Sequence, residues 1–224
     1  MTSQEKQITR IRVTYAKGPS LRFTGHLDLQ RLWERLLRRS GLPIRYSQGF
    51  NPRARLNLAS ALPLGVVSEA ELLDFWLDEA IPVEAVAKTL TQNSLPGLEI
   101  KAVQAVSLRE KALQEQLAAS DYEVQFYDPQ PQAELAEKVA ALLAAEELPR
   151  VRRKKPYDLR PLILDVKVIV LESGEQGLWM RLNAAPSATG RPDEVLEALG
   201  FANTEYLACR TGLILEEEST PLPS

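Results

Sequence analysis

Ile8-Thr9-Arg10-Ile11-Arg12-Val13-Thr14-Tyr15-Ala16, followed by Asp28-Leu29-Gln30-Arg31-Leu32-Trp33-Glu34-Arg35-Leu36-Leu37-Arg38-Arg39, is the stretch that decides the fold. In the first run Ile11, Val13 and Tyr15 alternate with Arg10, Arg12 and Thr14, the period of a strand with one buried face. In the second the period changes: Leu29, Leu32, Trp33, Leu36 and Leu37 recur at helical spacing, and Ser40-Gly41 supplies a stop. A turn at Lys17-Gly18-Pro19 separates them, with Leu21-Arg22-Phe23 resuming extended structure. The opposite face of the helix carries Arg31, Arg35, Arg38 and Arg39.

Working outward, Ile44 to Asn57 reads as a strand pair, or a strand with a glycine-bearing loop. Strands follow at Leu72 to Leu77 and Leu98 to Val106, with a short helix over Pro82 to Leu90 between them. The second half repeats the order, with strands at Tyr122 to Tyr127, Leu162 to Leu171, Leu178 to Leu182 and Tyr206 to Leu215. Its helices fall at Ala133 to Ala145 and Asp193 to Leu199, and the tail Glu216 to Ser224 is expected to fray. The pattern predicts an α+β fold of tandem ferredoxin-like (βαββαβ) sandwiches with antiparallel sheets. The halves are 1–107 and 121–224, joined by a linker at 108–120; the rival architecture is one larger α+β sandwich with a mixed sheet.

The chain has 224 residues, 45% of them hydrophobic and 25% charged, which fits a globular protein and excludes wholesale disorder. The apolar runs are short and the start MTSQEKQ is polar, so a cytoplasmic protein with no membrane contact is expected. Cys209 and His26 are single representatives of their types, too few for an internal disulfide, an iron–sulfur cluster or a zinc site, so neither metal nor cofactor is expected. Walker, GxGxxG and GxSxG motifs are absent. Glu69 and Glu71 alternate on a strand and read as a solvated edge.

The net charge of -3 conceals segregation. Residues 1–60 hold 12 Lys/Arg against 3 Asp/Glu, and residues 150–160 hold 6 against 1, while the remainder is acidic. Two basic islands in an acidic chain attract a polyanion without making the whole surface adhesive. In the first island, Tyr46, Gln48, Phe50 and Asn51 lie beside Arg53 and Arg55, with Gly49 and Pro52 shaping the turn. Aromatics stack on unpaired bases, amides read base edges and arginines hold phosphate. The second island, Arg150 to Arg160, places Arg152, Arg153, Lys154 and Lys155 in sequence, and Pro156 argues against a helix. Arg160 adds a further cation. The competing reading leaves this island as a solvated loop and puts Tyr46 and Phe50 in the core. His26 could act as a general base toward a ribose hydroxyl. Its structural alternative has His26 and Asp28 satisfying amides at the helix N-terminus.

Tyr15 to Gly18, Leu21 to Phe23, His26-Leu27-Asp28, Tyr46 to Pro52, Ala61 to Gly65 and Ser68-Glu69 resemble the radical-SAM-linked protein family of unknown function; the later Asp158-Leu159-Arg160 also matches its pattern. That resemblance implies Gly65 and Asp158 as structural positions and an accessory role beside a radical-SAM protein, since this chain has no three-cysteine cluster motif. At the level of fold the expected tandem is also similar to the endoribonucleases that process CRISPR transcripts, which use a histidine near the first helix. Their glycine-rich loop is not matched, because Ser187-Ala188-Thr189-Gly190 holds a single glycine. The combined expectation is a non-catalytic RNA-binding module that presents tRNA or rRNA to a radical-SAM partner. The rivals are a metal-independent endoribonuclease using His26 and a protein-interaction scaffold for that partner.

Overall fold

The structure, a computed structural model, describes residues 7–216. Of the tail read as frayed, Glu216 is described and the rest lies outside the described residues. The chain is a mixed α+β protein with mostly antiparallel strand pairing, and it falls into two compact units. The first comprises residues up to Leu113 together with Leu207–Thr211; the second comprises Gln114–Tyr206 and the residues from Gly212 on.

In the first unit β1 (Thr9–Lys17) leads through a 3-10 turn at Pro19–Leu21 to α1 (His26–Ser40). Then come β2 (Leu56–Leu58), β3 (Val67–Leu77), α2 (Val83–Gln92) and β4 (Leu98–Val106). Strand β1 lies between β3 and β4, antiparallel to both, and β2 adds to β3. The alternation in β1 puts Ile11, Val13 and Tyr15 in the core with Leu29, Trp33, Leu36 and Leu37 of α1. Tyr15 meets Trp33 edge-on, with ring centroids 4.9 Å apart. Burying each such side chain is worth about 1.5–3 kcal/mol, which fixes the helix on the sheet. Gly41 ends α1 in the left-handed region at φ 72°, the conformation glycine adopts at no steric cost.

Two expectations change here. Leu21-Arg22-Phe23 is not extended, because Pro19 fixes φ and starts a 3-10 turn instead. Arg10 and Arg12 do not face water either: both are buried on the side of β1 away from α1. Asp74, paired in register with Arg12, receives Arg10 Nε at 2.8 Å and Arg12 Nε at 2.9 Å. Arg10 also donates to the carbonyls of Glu110 and Lys111.

A single turn, α3 (Leu113–Gln116), begins at the last residue of the first unit's main segment and runs into β5 (Leu117–Phe126) of the second, so α3 and the start of β5 occupy the segment read as a linker. Then come α4 (Gln132–Ala144), β6 (Pro149–Arg152), β7 (Lys155–Asp158), β8 (Ile163–Val170) and β9 (Gln176–Ala185). The last elements are β10 (Ala188–Thr189), α5 (Pro192–Ala198) and β11 (Tyr206–Leu215). Strand β9 pairs antiparallel with β5, β8 and β10. Val124, Leu135, Val166, Met180 and Val195 are buried in this unit. The middle of β11 belongs to the first unit, where Cys209 and Arg210 pair in parallel with Val67 and Ser68 of β3.

Candidate nucleic-acid interface

The amphipathic pattern that buries one face of α1 necessarily turns Arg31, Arg35, Arg38 and Arg39 outward, and all four are exposed. Arg31 pairs with Asp28 at 3.1 Å, but both side chains are about two-thirds exposed, so the pair contributes little. Arg39 donates to the Asn93 carbonyl. Arg35 and Arg38 have no carboxylate partner among the described residues. Two grooves flank the helix. One, of about 480 Å³, joins Arg31 and Arg38 to Asn51, Pro52 and Arg53; the other, of about 530 Å³, is lined by Asp28, Arg31, Arg35 and Arg39 among others.

Asn51 and Arg53 reach α1 through a narrow loop. Tyr46 bridges Ala54, the Ser47 N–H donates to the Arg53 carbonyl at 2.8 Å, and the Ser47 hydroxyl accepts the Arg53 N–H at 3.1 Å. Gly49 turns the tip at φ 135°, outside the ordinary range of other residues. Phe50 stands fully in solvent at 106% relative exposure, and Gln48 is exposed beside it. Tyr46 packs against the core cluster instead, and the Arg55 guanidinium lies 4.3 Å from the Trp76 ring centroid. Arg31, Arg38, Asn51 and Arg53 are thus brought together, while Tyr46 packs on the core and Arg55, still exposed, lies over the Trp76 ring. Gly65, at φ 84°, accepts Arg22 Nε at 2.7 Å and ties the turn before α1 to the start of β3.

His26 is the first residue of α1, and its Nδ1 is buried without a hydrogen bond. The reading that His26 and Asp28 cap the helix is corrected: no side chain caps it, because Gly25 occupies the cap position, and Asp28 turns to Arg31. Glu71 is corrected too. It is buried, and its carboxylate takes Arg210 Nε at 2.7 Å and Nη2 at 2.5 Å, while Ser60 accepts Nη1. Lys17 sits in the same interior, and burial depresses its ammonium pKa against the opposing pull of Glu71. Burial, with Glu71 second, holds the Tyr15 phenol well above its ordinary value. The polar run Ser68-Glu69-Ala70-Glu71 hid this half of β3 from a hydrophobicity reading.

The second island is a hairpin. Arg150 faces Tyr157 and Arg152 faces Lys155 across β6 and β7, with Arg153 and Lys154 as a two-residue turn. Their φ values of 50° and 66° define a type I′ turn, which ordinarily uses Asn-Gly, so nothing in the sequence announced it. Arg152 is held: Glu194 of α5 receives both Nε, at 2.8 Å, and Nη2, and the Thr189 carbonyl takes Nη1 at 3.0 Å. Arg160 is held as well, donating to the carbonyls of Leu143, Ala145 and Ile163, which closes the open end of α4. Asp158 accepts the Leu148 and Arg160 N–H groups and fixes the hairpin base. Arg153, Lys154 and Lys155 are exposed, with no carboxylate partner among the described residues. Sequence reasoning missed Glu194 and Thr189, the groups that immobilise Arg152.

The Glu194 latch makes a pH prediction. Burial alone would raise this carboxyl, but the hydrogen bonds and charge of Arg152 outweigh it and hold the group below its ordinary 4.5. A carboxyl depressed on folding stabilises above its unfolded pKa and loses that contribution as pH falls through the lowered value. The Arg152 Nε–H resonance should therefore titrate with a midpoint below 4.5, and Glu194→Gln should abolish that titration. A midpoint above 4.5 would refute the latch.

Among the described residues no group of three His, Cys, Asp or Glu side chains could hold a metal, and no helix is long and apolar enough to cross a membrane. No curated protein matches the chain. Among solved structures it is similar to a chain of a Cbf5-Nop10-Gar1 complex, with 9% identity, 93% of this chain and 50% of that one covered, and a TM-score of 0.48. A second similar chain comes from an H/ACA RNP bound to a substrate RNA containing 2'-deoxyuridine, with 11% identity, coverages of 93% and 48%, and a TM-score of 0.45. A third comes from the archaeal box H/ACA sRNP Nop10-Cbf5 complex, with 11% identity, coverages of 96% and 51%, and a TM-score of 0.43. The chain spans about half the length of each. With residues 10–192 matching the family model, the chain belongs to DUF2344, a family described as uncharacterized proteins conserved in bacteria.

Proposed function

We propose that the protein is a non-catalytic RNA-binding module that holds a tRNA or rRNA for a partner radical-SAM modification enzyme. The observation that carries this reading is the surface of α1, where Arg38 lies in one groove with Arg53 and Asn51, next to the exposed Phe50, and Arg35 lines the other groove; neither arginine has a carboxylate partner among the described residues. Cations without internal partners attract phosphate, and an exposed ring beside them is a platform for an unpaired base. The finer fold reading belongs here as well. The first unit has the strand order β4-β1-β3-β2, and the second carries β8, β9 and β5 in turn, which supports two ferredoxin-like halves.

The partner enzyme rests on the sequence resemblance, because the chain lacks the cysteines of a cluster site. An endoribonuclease reading draws on the unpaired Nδ1 of His26, but among the described residues no carboxylate bonds to that ring, so it stands second. Fluorescence anisotropy of a labelled single-stranded RNA between roughly 50 and 200 mM salt tests the proposal. Three or four phosphate contacts on the α1 surface alone contribute about -2 to -3 to the log–log slope. The RNA should be recovered intact from EDTA. A slope near zero or no binding at low salt would overturn RNA binding, and 2′,3′-cyclic phosphate ends lost in His26→Ala would favour the enzyme.

A further inference from the structure

The hairpin tip has a geometry that its sequence opposes. L-residues in the left-handed region crowd Cβ against the backbone, yet Arg153 and Lys154 both lie there, at φ 50° and 66°. Lys155 stands directly opposite Arg152, a like-charge cross-strand pair that destabilises a ribbon. Glu194 neutralises Arg152 alone and leaves the other three cations in solvent. Asn-Gly would make the same turn without strain, so placing long cations there sacrifices stability at one solvent-facing point.

Beside this tip lies a cavity of about 320 Å³, lined by Lys155, Tyr157, Leu162, Ser187 and the two residues of β10, Ala188 and Thr189, among others. Tyr157 and Lys155 share one face of the ribbon, since their partners Arg150 and Arg152 are two residues apart on β6. Arg152 stacks 4.8 Å from the Tyr157 ring centroid and bonds to the Thr189 carbonyl, so it positions the cavity wall. The space falls at the lower end of small-ligand sites and mixes an aromatic and aliphatic wall with hydroxyls, two cations and Asp158, whose carboxylate is occupied by the Leu148 and Arg160 N–H groups.

We propose that this hairpin and cavity form a single-nucleotide site for single-stranded RNA. Arg153, Lys154 and Lys155 hold backbone phosphate, and one unpaired base enters against Tyr157, Leu162 and Ala188. This rests on the RNA-binding reading and extends it to a second, separate site with Arg152 as a positioning residue.

Two variants of the full chain test it with labelled oligouridylate. Arg153→Asn with Lys154→Gly keeps the turn and removes both charges. It should raise the melting temperature by a few degrees, weaken binding about tenfold and flatten the salt slope by about 1.4, two contacts at 0.7 each. Ala188→Trp fills the cavity; it should weaken binding about tenfold with the slope unchanged, as loss of one stacked base requires. Unchanged affinity in both variants, or a melting temperature that does not rise in the first, overturns the site. Weaker binding confined to α1 variants overturns this site and leaves the RNA reading intact. Weaker binding confined to the hairpin variants supports it and removes the α1 surface. No binding by the wild type overturns both, as does a hairpin that retains only an acidic peptide.

Discussion

Asp74→Ala is expected to cost about 3–5 kcal/mol of stability, because one carboxylate compensates two buried guanidiniums. Asp74 itself is fully buried, and Arg10 and Arg12 are 2% and 6% exposed. Arg10 reaches Asp74 Oδ2 through both Nε and Nη2, at 2.8 and 2.5 Å, while Arg12 spans both carboxylate oxygens at 2.9 and 3.1 Å. Removing the acid leaves two cations that cannot reach bulk water, although Glu110 still pairs with Arg12 at 3.2 Å. Replacing all three groups by apolar residues of similar volume should recover much of the loss, since the pair and its desolvation nearly cancel. Urea unfolding of the full chain followed by tryptophan fluorescence reads this directly, with Trp33 and Trp76 in the same unit. A loss under about 1 kcal/mol would show that water relieves the site, against the burial described.

The second large effect falls on binding. Changing Arg35, Arg38 and Arg53 together to Ala should weaken single-stranded RNA binding by about a hundredfold, as expected for three charge-assisted contacts of about 1 kcal/mol each. The salt slope should flatten by about 2. These side chains are exposed, so stability should stay within about 0.5 kcal/mol of wild type for each substitution. The corresponding lysine variant keeps the slope and loses less affinity, because it keeps the charge but not the planar fork. Equal affinity in the alanine variant would remove α1 from the interface.

What the sequence made legible follows the strength of each local signal. The heptad-like spacing in α1 placed its buried face and therefore its arginines, and the last strand fell at Tyr206–Leu215 as read. Signals failed where polar residues do structural work. Arg10, Arg12 and Glu71 look like solvent-facing positions of alternating strands, and only the strand register shows that each meets an opposite charge in the interior. The hairpin failed for the opposite reason: its turn carries Arg153-Lys154 where a glycine or asparagine would have marked it. Half of the candidate surface was thus readable from helical periodicity. The rest depended on partners distant in the chain, such as Glu194 for Arg152, 42 residues away.

Arg210 meets Glu71 across 139 residues of sequence. At a synthesis rate of roughly 5–20 residues per second, Glu71 leaves the ribosome about 7–28 s ahead of the guanidinium that neutralises it. During that interval Glu71 lacks its guanidinium partner, and β3 has an open flank near Val67 and Ser68. Translation pausing or chaperone capture before residue 210 would therefore set how much chain reaches the native state.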